Sequence, residues 1–225
     1  MKKSLAFLVI LLAFGATAFA QTVVFHTDFS TSIMLPKSHG DWEVMGGRLY
    51  QSDVDEHLAK INVMARQSGE MQYEFNVRYE GGGMEDLMGG FGIHVFVDNP
   101  WNGMSWGNGD SYLLWLNYDP SPSYGPKGFT AQIYKSVSET KMELVGYYDL
   151  NKYAYLLNTA NLNLLVPARI KINGNTGSVW VESPLEAGYG FRFSLGSALG
   201  SGEYVALRTN SLALSFDNLK VTKLK

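Results

Sequence analysis

Apolar and polar residues alternate along much of this chain with a period of two. The clearest run places Met71, Tyr73, Phe75, Val77 and Tyr79 between Gln72, Glu74, Asn76, Arg78 and Glu80, the pattern of an antiparallel strand with one face buried. Shorter runs of the same kind predict strands at 23–29, 42–44, 48–51, 59–63, 91–97, 112–118, 129–135 and 143–148, and again at 168–173, 178–182, 191–193, 204–208 and 212–224. Turn residues separate them: Gly46-Gly47, Gly81-Gly82-Gly83, Asn99-Pro100, Asp119-Pro120, Asn173-Gly174-Asn175 and Gly200-Ser201-Gly202. No stretch carries a long helical periodicity, so the pattern predicts an all-β sandwich or barrel. Two stretches fit the alternation poorly. Residues 151–165 read as a short helix or an irregular strand pair, and residues 99–110 are rich in Gly, Asn and Trp.

The first twenty residues follow a different rule. Lys2 and Lys3 precede an apolar run from Leu5 to Phe14, and Ala18-Phe19-Ala20 offers small residues for cleavage, the layout of a secretory signal peptide. The apolar run is shorter than the roughly 20 residues that span a bilayer, so no membrane span is expected. The mature protein is then expected to begin at Gln21, to form a single domain over 21–225, and to be soluble in a periplasm or outside the cell. The chain has no Cys, which removes lipoprotein acylation, thiolate zinc sites and disulfide stapling. Its formal charge of −3 becomes −5 once Lys2 and Lys3 are lost, which argues against nucleic acid as a partner.

The order of motifs adds a resemblance. Thr27-Asp28-Phe29 comes early, followed by Gly40-Asp41-Trp42-Glu43-Val44 and Gly46-Gly47-Arg48-Leu49-Tyr50-Gln51. Tyr204-Val205-Ala206-Leu207-Arg208-Thr209 and Phe216-Asp217-Asn218-Leu219-Lys220-Val221 close the chain. The whole resembles the concanavalin A-like lectin/glucanase superfamily, and within it the laminin G-like jelly-roll domains of secreted bacterial proteins. The resemblance spans nearly all of 22–225 and implies a two-sheet antiparallel jelly-roll sandwich. It specifies fold better than function. On this fold Trp42 and Phe216 read as wedges between the sheets, and Gly46-Gly47 as a tight hairpin needing positive φ. The resemblance also implies a structural calcium held by Asp28, the carbonyl of Gly47 and Asp217, since calcium accepts hard oxygens in loose geometry.

The superfamily's glucanase branch carries a strand of spaced carboxylates. The nearest match here, Glu70-Met71-Gln72-Tyr73-Glu74, has Gln72 at the central acid position. Four strand residues span roughly 13 Å, against the about 5 to 5.5 Å that a retaining pair needs. Glu85-Asp86 and the group Asp53, Asp55 and Glu56 read as solvated loop acids. The histidines His26, His39, His57 and His94 lack metal-helix spacing, and His94 reads as a hydrogen-bonded sheet residue. No catalytic residue is assigned. The concentration of Trp101, Trp106, Trp115, Tyr118 and Tyr124 among Asn99, Asn102, Asn108, Asp110 and Asn117 is the strongest pointer. Flat rings beside amides and carboxylates suit the apolar faces and hydroxyl rims of sugars. Trp101, Trp106, Asn108, Asp110 and Tyr124 are therefore the candidate ligand contacts. The reading is a secreted, non-catalytic module for a glycan or surface polymer. Its alternatives are an assembly protein contacting other envelope proteins through the same rings, or a divergent glycoside hydrolase.

Overall fold

The computed structural model describes residues 21–31, 33, 39–83, 88–157, 163–183 and 188–225. The leader 1–20 and the Glu85-Asp86 pair lie outside the described residues.

Fourteen strands are described: β1 (Thr22–Thr27), β2 (Trp42–Met45), β3 (Arg48–Gln51), β4 (Ala59–Gln67), β5 (Glu70–Gly82), β6 (Gly89–Val97), β7 (Ser111–Asp119), β8 (Gly128–Ser138), β9 (Lys141–Asp149), β10 (Val166–Asn173), β11 (Ser178–Glu182), β12 (Gly190–Ser194), β13 (Gly202–Asn210) and β14 (Leu212–Lys223). Each coincides with a run of alternation in the sequence. The stretch after β9 begins with one 3-10 helix, Asn151–Leu156. No described helix is long and apolar enough to cross a membrane.

The strands form two antiparallel sheets packed as a jelly-roll sandwich. One has the order β12-β11-β10-β5-β14-β3-β2, with β1 also pairing with β14, and the other β4-β13-β6-β7-β8-β9. The core lies between them. From the larger sheet come Leu49, Met71, Tyr73, Phe75, Ile172, Phe216 and Val221, and from the smaller Ile61, Val63, Ile93, Val95, Ile133, Val205 and Leu207. Alternation is cleanest in β5, where every second residue from Met71 to Val77 is buried. The buried Tyr73 is tolerated because its hydroxyl donates to Gln67 Oε1 at 2.8 Å, which also accepts the Phe96 amide at 2.8 Å.

Trp42 stacks at 6.0 Å on the fully buried Phe216 and donates its indole N–H to the His39 carbonyl at 2.9 Å, so the wedge expected there is present. Gly46 and Gly47 have φ of +57° and +74°. Two successive positive values give the hairpin twist that matches β2 to β3.

Candidate functional site

The smaller sheet departs from simple alternation, and that departure locates the site. Its core-facing row is Ile61, Leu207, Ile93, Leu114, Ile133 and Gly146, one residue per strand in register. One step along each strand lies a row facing away from the core: Lys60, Arg208, Gly92, Trp115, Gln132 and Tyr147. The next outward row is Asn62, Ala206, His94, Leu113, Tyr134 and Leu144. Outward residues of a two-layer sandwich should meet water, yet Lys60, Asn62, His94, Arg208 and Gln132 are all buried.

The cover is the β6–β7 connection, residues 98–110. Asn108 ties it down: its amide donates to Ser136 Oγ at 2.9 Å, its Nδ2 to Asn62 Oδ1 at 2.8 Å, and its Oδ1 accepts the Trp101 amide at 3.0 Å. Gly107 N donates to the Glu139 carbonyl at 3.1 Å. Lys60 Nζ donates to Ser105 Oγ and to the Gly107 carbonyl, and Arg208 Nη1 donates to the Trp106 carbonyl. The loop thus caps the β4/β13 side of the sheet with backbone oxygens turned toward two cations.

Beyond the loop the face opens. The Trp115 indole lies across β6 where that strand has no side chains, with a Cβ on Gly90 falling 2.6 Å from its Cε2 and one on Gly92 falling 3.0 Å from its Cε3. Its Nε1 donates to Asn117 Oδ1 at 3.1 Å. The rings of Trp106 and Trp115 each have their centre 5.8 Å from the Arg208 guanidinium carbon, within cation–π range. Tyr134 donates to Gln132 Oε1 at 2.5 Å. Trp106 and Tyr124 are 57% and 70% exposed, so aromatic edges stand free above this polar floor.

The floor is cationic. Burial, reinforced by Arg208, draws the Lys60 ammonium down to about 8, with Glu139 opposing. Burial lowers Arg208 to about 10, which leaves it charged at neutral pH. Burial, then the charges of Arg208 and Lys60, hold His94 well below the usual histidine range, so its ring is neutral. Arg208 can only donate, so His94 Nε2, 3.3 Å from Nη1, is the acceptor and the ring proton sits on Nδ1, 3.1 Å from Ser111 Oγ. Burial lifts the Tyr134 phenol to about 12.

The expected ligand contacts divide. Trp106 and Tyr124 are exposed at the rim, and Trp101 is half-buried with its ring over Gly107. Asp110 is exposed and paired with Lys135. Asn108 is a correction: it is fully buried with its amide groups committed inside the protein, so it fixes the loop and offers nothing to a ligand. The residues that sequence reasoning did not single out are Lys60, Arg208, Gln132 and Tyr134. Their polar positions in alternating strands read as solvated.

Of the three residues of the expected calcium site, Asp217 lies on β14, Asp28 follows β1, and Gly47 precedes β3. Thr27 pairs with Leu219 and Leu49 with Phe216, both along one side of β14. Asp28 Oδ1 accepts the Ser30 amide and hydroxyl at 3.0 and 2.7 Å, and Asp217 Oδ1 accepts the Asn218 amide at 2.7 Å. The other oxygen of each carboxylate and the Gly47 carbonyl are hard donors of the kind calcium takes. Among the described residues no group of three or more acidic, His or Cys side chains is gathered, so backbone oxygens and solvent would have to complete the shell.

The sequence-derived carboxylate pair does not close. Glu70 to Glu74 run in unbroken register with β10, without the bulge that could bring them together. Glu74 pairs with Arg169 at 3.0 Å and Glu70 with Lys225 at 3.6 Å. The outer face of the larger sheet also carries a groove of about 390 Å³ lined by Glu70, Lys171, Asn173, Ser178, Trp180 and Arg192, with Arg192 stacked 4.5 Å over Trp180.

No family model matches the chain, and no curated protein matches it in sequence. Solved structures do match in shape. The CBM2 module of the evolved Dit of Lactobacillus casei BL23 phage J-1 superposes with a TM-score of 0.57 at 11% identity, covering 90% of this chain and 95% of that one. A Bacillus subtilis protein of unknown function with a galectin-like fold gives 0.55 at 13% identity, over 89% and 95%. The Emp47p carbohydrate recognition domain gives 0.52 at 16%, over 92% and 98%. At such identities the likeness is one of fold, a lectin-like jelly roll.

Proposed function

We propose that this protein is a secreted, non-catalytic carbohydrate-binding module of the concanavalin A-like, laminin G-like type. In this reading the outer face of the six-stranded sheet is the binding surface. The carrying observation is the pair of indoles flanking Arg208 at 5.8 Å, above a floor of Gln132 and Tyr134 and beside the exposed Tyr124. The ring of Trp115 offers a flat apolar surface for the C–H face of a sugar, Trp106 a wall, and the exposed Tyr124 a hydroxyl for its polar rim. Only a small number of placed polar groups is needed to orient such a ligand. The lectin-like neighbours, two of which are carbohydrate-binding by name, favour this reading over the assembly one.

The leader at 1–20 supports export to a periplasm or the exterior. Calcium belongs to the same reading: at Asp28, the Gly47 carbonyl and Asp217 it would clamp β1 and the β2–β3 hairpin to β14, a structural role remote from the sugar face.

The test is a glycan array followed by calorimetry on the parent, Trp106→Ala and Trp115→Ala. Binding that falls at least about tenfold in both variants, as loss of a stacking ring predicts, supports the reading. Binding undisturbed by either variant would overturn it.

A further inference from the structure

Lys60 and Arg208 are paired directly across β4 and β13, and both are buried. Like charges opposite one another destabilise a sheet, and burying each without a counter-charge adds a desolvation cost. Among the described residues neither makes an ion pair with a carboxylate, whereas Arg48, Arg66, Arg78 and Arg169 all do. The groups that Lys60 and Arg208 contact are neutral: the Ser105 hydroxyl and Gly107 carbonyl for one, the Trp106 carbonyl, His94 Nε2 and Met142 Sδ for the other. Glu139 acts on Lys60 only through space. Arg208 makes every one of its hydrogen bonds through Nη1, and its enclosed Nε has no partner at all.

An unbalanced pair of buried cations, one of them with two indole rings 5.8 Å from it, points to a ligand that brings the missing charge. Resting on the carbohydrate-binding reading above, we infer that the sugar recognised here is an acidic one, a hexuronate-bearing glycan whose carboxylate is taken by the free Nε edge of Arg208 with Lys60 behind it. A guanidinium edge matches a carboxylate in a bidentate fork, which an ammonium cannot reproduce. The Trp115 indole, its centre 5.8 Å from the guanidinium carbon, offers stacking to the ring that carries the acid. Nε is enclosed, so binding has to uncover it through a side-chain rearrangement of the kind open to Trp106, which is already more than half exposed. The chain as a whole is acidic, so the attraction is local and suits one carboxylate per sugar better than a densely charged polyanion.

The test titrates the full-length secreted protein with trigalacturonate and trimannuronate, with the neutral galactotriose and mannotriose, and with a sulfated galactan oligosaccharide. Expected is affinity for a uronate at least about tenfold above that for its neutral counterpart. That affinity should fall several-fold as NaCl rises from about 50 to about 500 mM, and Arg208→Lys should lower it toward that of the neutral counterpart. Should Arg208→Lys fail to fold, the salt dependence of the parent decides. Equal, salt-insensitive affinity for acidic and neutral sugars, lost in Trp106→Ala and Trp115→Ala, would overturn the acidic ligand and leave the carbohydrate reading standing. Preference for the sulfated probe would overturn the carboxylate. Binding to none of the probes would overturn this inference, and a blank glycan array would overturn the carbohydrate reading with it.

Discussion

The indole of Trp115 lies over the backbone of Gly90, so closely that a methyl group on that glycine would fall 2.6 Å from Cε2. The missing side chain on β6 is what lets the ring lie flat on the sheet, where an upright ring would present only an edge. Gly90→Ala is therefore expected to cost about 1–3 kcal/mol as an overpacked contact and to weaken ligand binding along with it. Gly200→Ala, where nothing lies within 4 Å of the added carbon, is the control expected to change neither. Denaturant midpoints and calorimetry on both variants check this.

The depressed Lys60 predicts how stability responds to pH. Its folded value of about 8 lies below the ordinary 10.5, so between those limits the native state binds fewer protons than the unfolded chain. Stability then rises with pH across that window. From pH 7.5 to 9.5 the gain should be roughly 2 kcal/mol at most, or a few degrees in Tm for a chain of this size. Above pH 10 the trend reverses, because unfolded tyrosines ionise there while burial holds Tyr73 and Tyr134 higher. Thermal melts of the parent should show the rise and those of Lys60→Met a much weaker one, left by Lys135, whose ammonium burial also lowers; an undiminished rise in the variant would mean that Lys60 is not responsible.

Chelation tests the cation proposed at β14. If calcium joins Asp28, the Gly47 carbonyl and Asp217, EDTA should lower Tm, and millimolar calcium should restore it, because a ligand bound only by the native state stabilises by mass action. Asp217→Asn should abolish the response. Identical melts in chelator and in calcium would remove the ion from the picture.

Phe216→Ala separates core from rim. Phe216 is fully enclosed between Trp42 and Phe75, so its truncation should cost about 3–5 kcal/mol. Trp106→Ala, at a ring more than half exposed, should cost under about 1 kcal/mol while removing binding. Chemical denaturation of the two variants side by side distinguishes them.

The buried Asn108 gives a fifth contrast. Asn108→Ala leaves Asn62 Oδ1 and the Trp101 amide without their partners under the loop, and should cost about 1–3 kcal/mol for the groups left unsatisfied. Hydrogen exchange should then quicken first at the amides of Trp101 and Gly107, before any strand opens.

Much of the fold was legible because a sheet with one dry face writes itself into every second residue. The runs around Met71–Val77 and Phe216–Val221 could belong to little else. The site was only half legible. Trp106 and Tyr124 announced themselves as aromatics in a polar loop, but the loop also buries what lies beneath it. Alternation marks a polar residue such as Lys60, Asn62 or Arg208 as outward, and outward ordinarily means wet. Here a single long connection dries the outer face of β4 and β13, a fact of tertiary structure that no local pattern carries. The same blindness made Asn108 look like a sugar ligand: an amide among tryptophans has the right chemistry, and only its enclosure shows that the chemistry is spent on the protein.

The strand pairing has a bearing on how the module would be displayed. Both β1 and β14 belong to the eight-stranded sheet, so Lys225, and Gln21 once the proposed leader is cleaved, leave from the layer opposite Trp115 and Arg208. A tether at either end, whether a bead, a fusion partner or a larger assembly, would hold the protein by its back and leave the tryptophan face turned outward. Surface-immobilised protein should consequently keep the same affinity whichever terminus is attached.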